Sequence, residues 1–322
     1  MPRSALCTAL ALLATPFAAQ AADDFPRRPI RLIVPFAPGG GTDIIGRILA
    51  NQMQADLNQT VVVDNRPGAG STLGHTLAAS SEPDGHTLVF SSVSFAINAV
   101  YLPKLGYDPK KSFAPVTRVA NQPNILVVHP RIEARSVKEL VELAKRNPGK
   151  LNYGSAGNGT GSQFATELLK MKTGIKMQHV PYKGTGPALN DLVAGNIDLY
   201  ISTLASAVPF VKQERLRPLA LTSTQRTKVL PDVPTMQEAG IEGYSYETWY
   251  GIQVPSATPK PIVEKLNRIL VRAVESPTVR SQMEKIGIEP VTATPQEFAA
   301  HIRAEIDKWG GVVRTAGLAA RR

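Results

Sequence analysis

LIVPFAPGGGTDIIGRIL, residues 32–49, predicts a buried strand, a glycine-rich turn and an amphipathic helix. Three β-forming apolar residues open the stretch, and two prolines, which lack an N–H, end strand pairing. The three glycines let the backbone turn tightly with its N–H groups uncovered. Thr42 is the predicted N-cap, Asp43 lies in the first turn, and apolar residues then recur at helical spacing. A strand that leads into a bare helix N-terminus is a site for a small anion.

A second turn of the same kind lies at residues 154–162, GSAGNGTGS, between another predicted strand and helix. Ser155, Thr160 and Ser162 add hydroxyl groups there, and Thr42 adds one to the first turn. Either turn alone is equally well explained as a connection between elements. Two such turns together favour binding, because ligands of α/β proteins lie at the carboxyl ends of strands. The pair is suited to gripping the two ends of a dicarboxylate.

The order of predicted elements indicates an α/β fold with largely parallel sheets, because strands alternate with helices along the chain. The length is that of two ordinary domains. The apolar segment 125–129 is predicted to cross into a second domain, and residues 249–254 are predicted to return. The predicted domains are residues 22–123 with 250–322, and residues 124–249.

Several local patterns predict where helices begin. Ser136 and Glu139 form a capping box, and Thr294 with Glu297 opens the last helix. Pro187 suits the first position of a helix. Residues 92–94, SVS, are predicted to form a polar loop after a strand.

The first 21 residues have the pattern of a secretory signal peptide: one charge, an apolar stretch and the small-residue pattern Ala19-Gln20-Ala21. The apolar run is shorter than the ~20 residues of a membrane-spanning helix, which disfavours an anchor. Cys7 is the one cysteine, so cleavage after Ala21 leaves a chain without disulfides or cysteine-bound metal. We therefore expect a periplasmic protein.

The chain is basic, with a formal net charge of +10. Its lysines and arginines are scattered rather than clustered, and the signal peptide directs the chain away from nucleic acid. A positive field that attracts carboxylate solutes is the better interpretation. Lys183 and Arg66 each follow a predicted strand, and each is as well explained as a surface cation as by contact with an anion.

No catalytic or cofactor motif stands out. The five histidines are far apart, and neither a His-Glu-x-x-His pair nor a Gly-x-Ser-x-Gly elbow occurs. Residues 68–74 have glycines like those of a dinucleotide fingerprint, but their spacing differs and no acidic residue follows at the expected distance. Residues 154–162 lack the Gly-Lys-Ser/Thr of a phosphate loop. We expect no cofactor, no metal and no catalytic residue.

In combination, several motifs resemble the periplasmic solute receptors of tripartite tricarboxylate transporters, the Bug family. They are PIRLIVPF with PGGGTD (29–36 and 38–43), NRPGAG (65–70), EPDG (82–85), YGSAG (153–157) and VPYKG (180–184). The likeness continues to Trp309-Gly310 and covers essentially the whole mature chain. It implies a two-domain periplasmic-binding-protein fold (Venus flytrap, type II), with two crossover strands, that closes over a carboxylated solute.

In such receptors the loop that matches residues 36–43 holds one carboxylate, largely through backbone groups and ordered water, and the loop that matches 155–162 contributes from the other domain. Together with nearby polar residues, the predicted ligand-binding set is Phe36, Ala37, Pro38, Gly39, Gly40, Gly41, Thr42, Asp43, Ser92, Ser94, Ser155, Gly157, Gly159, Thr160, Ser162, Lys183 and Ser202.

The leading hypothesis is a non-catalytic, monomeric receptor for a small carboxylate, with the membrane permease of a tripartite tricarboxylate transporter as partner. Two alternatives stay open. One is a periplasmic sensory module that signals ligand binding to a membrane partner. The other is a periplasmic enzyme acting on a carboxylate in the same cleft, for which no nucleophile–base pair is evident.

Overall fold

The computed structural model describes residues 25–315. The predicted signal peptide and Cys7 lie outside those residues. The described chain alternates strands and helices, as expected for an α/β fold. The strands are β1 (Ile30–Val34), β2 (Val61–Asn65), β3 (Thr87–Ser92), β4 (Phe113–Val128), β5 (Asn152–Ser155), β6 (Gln178–Pro181), β7 (Leu199–Thr203), β8 (Arg217–Leu221), β9 (Glu247–Pro255) and β10 (Glu289–Pro290).

The helices pack around these strands. They are α1 (Gly41–Leu57), α2 (Thr72–Ala79), α3 (Val93–Tyr101), α4 (Val137–Arg146), α5 (Gly161–Thr173), α6 (Thr185–Val193), α7 (Leu204–Lys212), α8 (Lys260–Glu275), α9 (Pro277–Glu284) and α10 (Pro295–Thr315), and a short 3-10 turn spans Ala69–Ser71. None of the helices within residues 25–315 is long and apolar enough to cross a membrane.

The strands form one path in the order β2-β1-β3-β9-β4-β7-β5-β6, with β8 and β10 also paired to β4. Strand β4 divides this path into two halves. Its residues 113–123 pair with β9, whereas its residues 124–128 pair with β7 and β8. We call the part that holds β1–β3 and β9 the first half, and the part that holds β5–β8 the second half.

The expectation of largely parallel sheets is correct for the outer strands and wrong for the centre. β1 is parallel to β2 and β3, and β5 is parallel to β6 and β7. β4 and β9 are antiparallel to each other because they cross between the halves in opposite directions. The two predicted crossovers, residues 125–129 and 249–254, lie in or directly after these strands.

Burial explains why the opening stretch folds as it does. Ile33 and Val34 of β1 are fully buried, and in α1 the apolar stripe Ile45, Leu49 and Met53 is also fully buried. The C-terminal helix α10 joins the halves, since Trp309 packs edge-on against Phe164 of the second half with ring centroids 5.7 Å apart. This packing adds a contact between the two halves outside the central strands.

Some predicted helix starts are confirmed. The Ser136 hydroxyl accepts a hydrogen bond from the Glu139 N–H at 3.1 Å. Thr294 and Glu297 bond reciprocally: the Glu297 carboxylate accepts from the Thr294 N–H at 2.8 Å, and the Thr294 hydroxyl accepts from the Glu297 N–H at 3.2 Å. Local sequence is sufficient here because each capping box closes within four residues.

Three local predictions are wrong. Gly40, not Thr42, is the N-cap of α1, and it caps without a side chain. Residues 92–94 form no loop, because β3 ends at Ser92 and α3 begins at Val93. Pro187 is the third rather than the first residue of α6. In each case the helix begins earlier than the side chains predict. Because Thr42 does not cap α1, its hydroxyl is free for other contacts.

Candidate functional site

The two glycine turns predicted from the sequence face one cavity between the halves. The cavity is small, about 40 Å³. The first turns of α1 and α5 form opposite walls, and residues of β3, β4 and β9 complete them. The wall consists of Phe36, Gly40, Gly41, Thr42, Ser92, Val93, Ser94, Asn124, Ala156, Thr160, Gly161, Ser162, Thr185, Tyr200, Thr203, Tyr246, Thr248 and Tyr250.

The first turn is shaped by backbone conformation rather than by side-chain capping. Gly39 has a φ of +86°, a conformation that favours glycine. A Cβ on Gly41 would lie closer to the Tyr250 hydroxyl than real carbon and oxygen atoms approach, and 2.7 Å from the Gln122 side-chain oxygen. The first residue of α1 must therefore be glycine for the hydroxyl to reach the helix N-terminus.

Asp43 stabilises this turn and does not line the cavity. Its carboxylate accepts hydrogen bonds from the Gly39 N–H at 3.1 Å, from Arg47 at 3.1 Å and from Asn65 at 3.0 Å. Burial alone would raise the pKa of Asp43, but these hydrogen bonds together hold that pKa below its usual value. The residue is charged at neutral pH and fixes the path of residues 39–43.

The second turn is held by its own hydroxyl and amide groups. The Thr160 hydroxyl donates to the Gly157 carbonyl at 2.6 Å, and the Ser162 hydroxyl accepts from the Ala156 N–H at 2.9 Å. The Gln163 side-chain oxygen accepts from the Gly159 N–H at 2.8 Å. This turn is thus rigid before any ligand binds, which lowers the entropic cost of binding.

Tyrosine hydroxyls complete both ends of the cavity, and sequence reasoning missed them as a set. Tyr246 and Tyr250 lie four residues apart around the start of β9. The Tyr246 hydroxyl lies over Gly161, just as the Tyr250 hydroxyl lies over Gly41. Tyr200 also lines the cavity and donates to Thr185 at 3.1 Å. The one available signal was the repeated tyrosine in YSYETWY, which packing within a crossover strand explains equally well.

The electrostatics of the cavity come from dipoles. Within residues 25–315, the residues that line it include no Asp, Glu, Lys, Arg or His. Burial raises the pKa of Tyr200, Tyr246 and Tyr250, so these hydroxyls are neutral. The positive ends of α1 and α5 face the cavity from opposite sides. Such a site suits an anion held by N–H and O–H donors rather than by a salt bridge.

The structure brings some of the predicted binding residues together and leaves others outside. Phe36, Gly40, Gly41, Thr42, Ser92, Ser94, Thr160 and Ser162 line the cavity. Nine do not: Ala37, Pro38, Gly39, Asp43, Ser155, Gly157, Gly159, Lys183 and Ser202. Sequence reasoning also missed Val93, Asn124, Ala156, Gly161, Thr185, Thr203 and Thr248, all of which line it.

Two of the nine, Ala37 and Lys183, make a contact between the two halves near the cavity. The Ala37 N–H donates to the Lys183 carbonyl at 3.0 Å across the boundary. The Lys183 side chain itself is exposed. The Gly161 N–H donates to the Ser94 hydroxyl at 3.2 Å, again from one half to the other. These contacts belong to a closed conformation.

Two serine–histidine contacts occur near the site, and neither lines the cavity. The Ser155 hydroxyl lies 2.6 Å from His179, and the Ser91 hydroxyl lies 3.0 Å from His75. Burial lowers the pKa of each histidine to about 4. Among the described residues there is no group of three or more His, Cys, Asp or Glu that would hold a metal ion.

An α/β fold in which two halves, joined by two crossover strands, close over a small cavity is the fold of a periplasmic binding protein of the Venus-flytrap type. A family model described as "tripartite tricarboxylate transporter family receptor" matches residues 45–318. The chain therefore belongs to the tripartite tricarboxylate transporter receptor family, which includes the Bug proteins.

Solved structures agree with this family. The periplasmic binding protein BugD is 33% identical, with a TM-score of 0.90, over 92% of this chain and 100% of that chain. The R. palustris protein Rpa4515 with adipate is 35% identical, with a TM-score of 0.89, over 91% of this chain and 99% of that one. MatC from Rhodopseudomonas palustris with bound malate is 33% identical, with a TM-score of 0.86, over 90% of this chain and 100% of that one.

Proposed function

We propose that this protein is an extracytoplasmic receptor that binds a small carboxylate in the cavity between its two halves and delivers it to the permease of a tripartite tricarboxylate transporter. The observation that carries the proposal is the pair of helix N-termini, at Gly41 and Gly161, that face one cavity from opposite sides. Each N-terminus presents first-turn N–H groups that no carbonyl of the helix accepts, and the positive end of a dipole, to a bound anion.

The ligand class is a dicarboxylate, tricarboxylate or related organic acid. Adipate and malate, bound by two relatives of the same fold, both carry a carboxylate at each end. Two opposed N-termini suit such a molecule, with one carboxylate on the α1 side and the other on the α5 side. The neutral walls favour binding and release without chemistry, and the two serine–histidine contacts lie outside the cavity.

We propose that the two halves are domains that move: residues 22–123 with 250–322, and residues 124–249. Opening takes place about β4 near Asn124 and β9 near Gly251, and the ligand stabilises the closed state because it contacts both domains. The signal peptide is cleaved after Ala21, and the mature chain acts in the periplasm as a monomer, without a cofactor and without nucleic acid.

A thermal-shift screen of the mature chain with mono-, di- and tricarboxylates, amino acids and nicotinate tests the binding. A ligand at 100 times its Kd should stabilise the chain by about 2.7 kcal/mol. Thr42→Val serves as the site variant, and Lys183→Gln as the matched control, since the Lys183 side chain lies outside the cavity. A screen without any saturable shift would overturn the proposal. Uptake of the identified ligand by vesicles that hold the cognate permease, with and without the receptor, then tests delivery.

A further inference from the structure

Three buried tyrosines bring their hydroxyl groups to the cavity between the halves. Tyr200 lies on β7, Tyr246 directly precedes β9, and Tyr250 lies within β9. All three residues are 3% exposed or less. Burial is the main cause that raises the pKa of Tyr250, and the nearby Tyr246 and Tyr200 raise it further. The three phenol oxygens are therefore neighbours within one cavity.

The hydroxyl protons of Tyr250 and Tyr200 are already used within the protein. Tyr250 donates to the side-chain oxygen of Gln122 at 3.1 Å. Tyr200 donates to the Thr185 hydroxyl at 3.1 Å. Because a phenol has one proton, each of these two hydroxyls has only lone pairs left for a ligand.

The Thr248 hydroxyl sets the direction of the hydrogen bond that Tyr246 makes. Thr248 donates its one proton to the Asn124 side-chain oxygen at 2.9 Å. The Tyr246 and Thr248 hydroxyls lie 3.3 Å apart, so Tyr246 must be the donor of that bond and Thr248 its acceptor. Tyr246 therefore also offers a ligand lone pairs only.

The partners of these hydroxyls resist a change of direction. Gln122 is fully buried, so a ligand that took the proton of Tyr250 would leave the Gln122 oxygen without this hydrogen bond. An unpaired buried acceptor is costly. A ligand carboxylate, which only accepts hydrogen bonds, is therefore better served by the helix N-termini than by the three phenols.

Donors and acceptors are thus separated around the cavity. First-turn N–H groups of α1 and α5 suit the carboxylates of a ligand, whereas the phenol oxygens suit a group that donates. The Tyr250 oxygen lies over Gly41 and the Tyr246 oxygen over Gly161, so a ligand that reaches both N-termini passes close to them. A ligand without a donor would leave these lone pairs unpaired or would have to share the cavity with a water molecule.

The donor that fits the phenol oxygens is a hydroxyl group rather than an ammonium group. Within residues 25–315, no Asp or Glu lines the cavity to pair with an ammonium charge. The positive ends of the α1 and α5 dipoles both face the cavity, which disfavours a cation there. A hydroxyl supplies a proton to a phenol oxygen without adding charge.

We propose that the ligand is a hydroxycarboxylate, a small organic acid whose carbon body carries a hydroxyl group that donates to Tyr200, Tyr246 or Tyr250. This rests on the proposed carboxylate binding between the halves and narrows its ligand class. The tyrosines select hydroxylated acids over unsubstituted acids and amino acids of the same length. The helix N-termini alone would not make that distinction, because all three kinds of acid carry the same carboxylates.

Calorimetric titration of the mature chain with matched acids tests the proposal. Three pairs differ by one hydroxyl group: succinate with malate, glutarate with 2-hydroxyglutarate, and tricarballylate with citrate. Aspartate and glutamate are the amino analogues. In the series that binds best, the hydroxy acid should bind at least about threefold tighter than the unsubstituted acid, which is the effect of one net hydrogen bond. It should also bind tighter than the amino analogue.

Phenylalanine variants identify the partner of the ligand hydroxyl. At least one of Tyr200→Phe, Tyr246→Phe and Tyr250→Phe should reduce the preference for the hydroxy acid below threefold. Tyr244→Phe is the matched control, since Tyr244 is equally buried but donates to the Ala165 carbonyl at 2.7 Å and does not line the cavity. The control should keep the full preference.

Three results would overturn the proposal while carboxylate binding itself stands. The hydroxy acid could bind less than threefold tighter than its unsubstituted partner. An amino acid could bind tightest, which would show that the phenol oxygens accept from an ammonium group. The preference could survive in all three phenylalanine variants, which would place the ligand hydroxyl elsewhere. The ligand pairs are compared on the parent chain, so a variant that does not fold leaves the test intact. Failure of every acid, here and in the thermal-shift screen, would overturn the proposed function as well.

Discussion

Gly186→Ala should weaken closure of the two halves without weakening folding of the chain. Gly186 is the second residue of α6, and its φ lies outside the left-handed region, so alanine fits the backbone. In the closed protein its Cβ would come closer to the Pro38 carbonyl oxygen than the 3.0 Å that real Cβ atoms keep. Because Pro38 belongs to the first half and Gly186 to the second, the clash arises only on closure.

The expected magnitude follows from these two effects. Overpacking against the backbone costs about 1–3 kcal/mol. Because this cost destabilises only the closed state, it should weaken ligand binding about 5- to 150-fold. Helix propensity favours alanine over glycine by up to about 1 kcal/mol, so the ligand-free chain should unfold at an equal or higher urea concentration. The variant should therefore bind worse while it folds at least as well.

Calorimetric titration with the best carboxylate from the screen, together with urea unfolding of the ligand-free chain, measures both effects. Gly311→Ala in α10 is the matched control, since nothing lies within 4 Å of its Cβ. That control should be as stable as Gly186→Ala and bind with unchanged affinity. Gly186→Ala binding within twofold of the parent chain would refute the reasoning that these halves close on the ligand.

Three further predictions concern the cavity and its surroundings. Gly40→Val should weaken ligand binding more than it weakens folding, because its Cβ would lie 3.3 Å from Thr185 of the other half. Calorimetry measures the loss in binding and urea unfolding measures the loss in stability. Equal losses in the two free energies would contradict the claim. Tyr246→Phe removes a hydroxyl at the α5 end and should weaken binding by about 0.5–1.5 kcal/mol, whereas an unchanged Kd would mean that the hydroxyl does not contact the ligand. The buried neutral form of His75, with its pKa lowered to about 4, is favoured in the folded chain, so the unfolding free energy should fall by up to roughly 3 kcal/mol as pH drops from 6.5 to 4. His75→Gln should flatten that slope in urea unfolding series, and equal slopes would show that another group titrates.

Much of the fold could be predicted from local sequence. The strand, turn and helix at residues 32–49 follow from apolar periodicity and three glycines, and the structure has them as β1 and α1. The capping box at Ser136 is likewise local. Apolar segments also placed both crossovers, because a short apolar run rich in β-forming residues is typical of a buried strand.

The cavity wall was less predictable because it depends on contacts between distant residues. Gly41 is needed for the Tyr250 hydroxyl, and Gly161 for the Tyr246 hydroxyl, yet each pair is separated by most of a domain in sequence. Asp43, a polar residue in the first glycine turn, was predicted to bind the ligand. In the structure it instead stabilises the turn by accepting hydrogen bonds from Arg47 and Asn65. Local propensity does not indicate which side of a turn will face a residue such as Tyr250, which lies two hundred residues later in the sequence.

The central claim is that neutral donors at two opposed helix N-termini hold the ligand. A crystal structure of the mature chain with the best carboxylate from the screen tests it most directly. We expect carboxylate oxygens within hydrogen-bond distance of backbone N–H groups or hydroxyls at Gly41 and Thr42 on one side, and at Ser162 in the first turn of α5 on the other. A ligand bound outside this cavity, or one held by a salt bridge to Lys183 or Arg66, would contradict it.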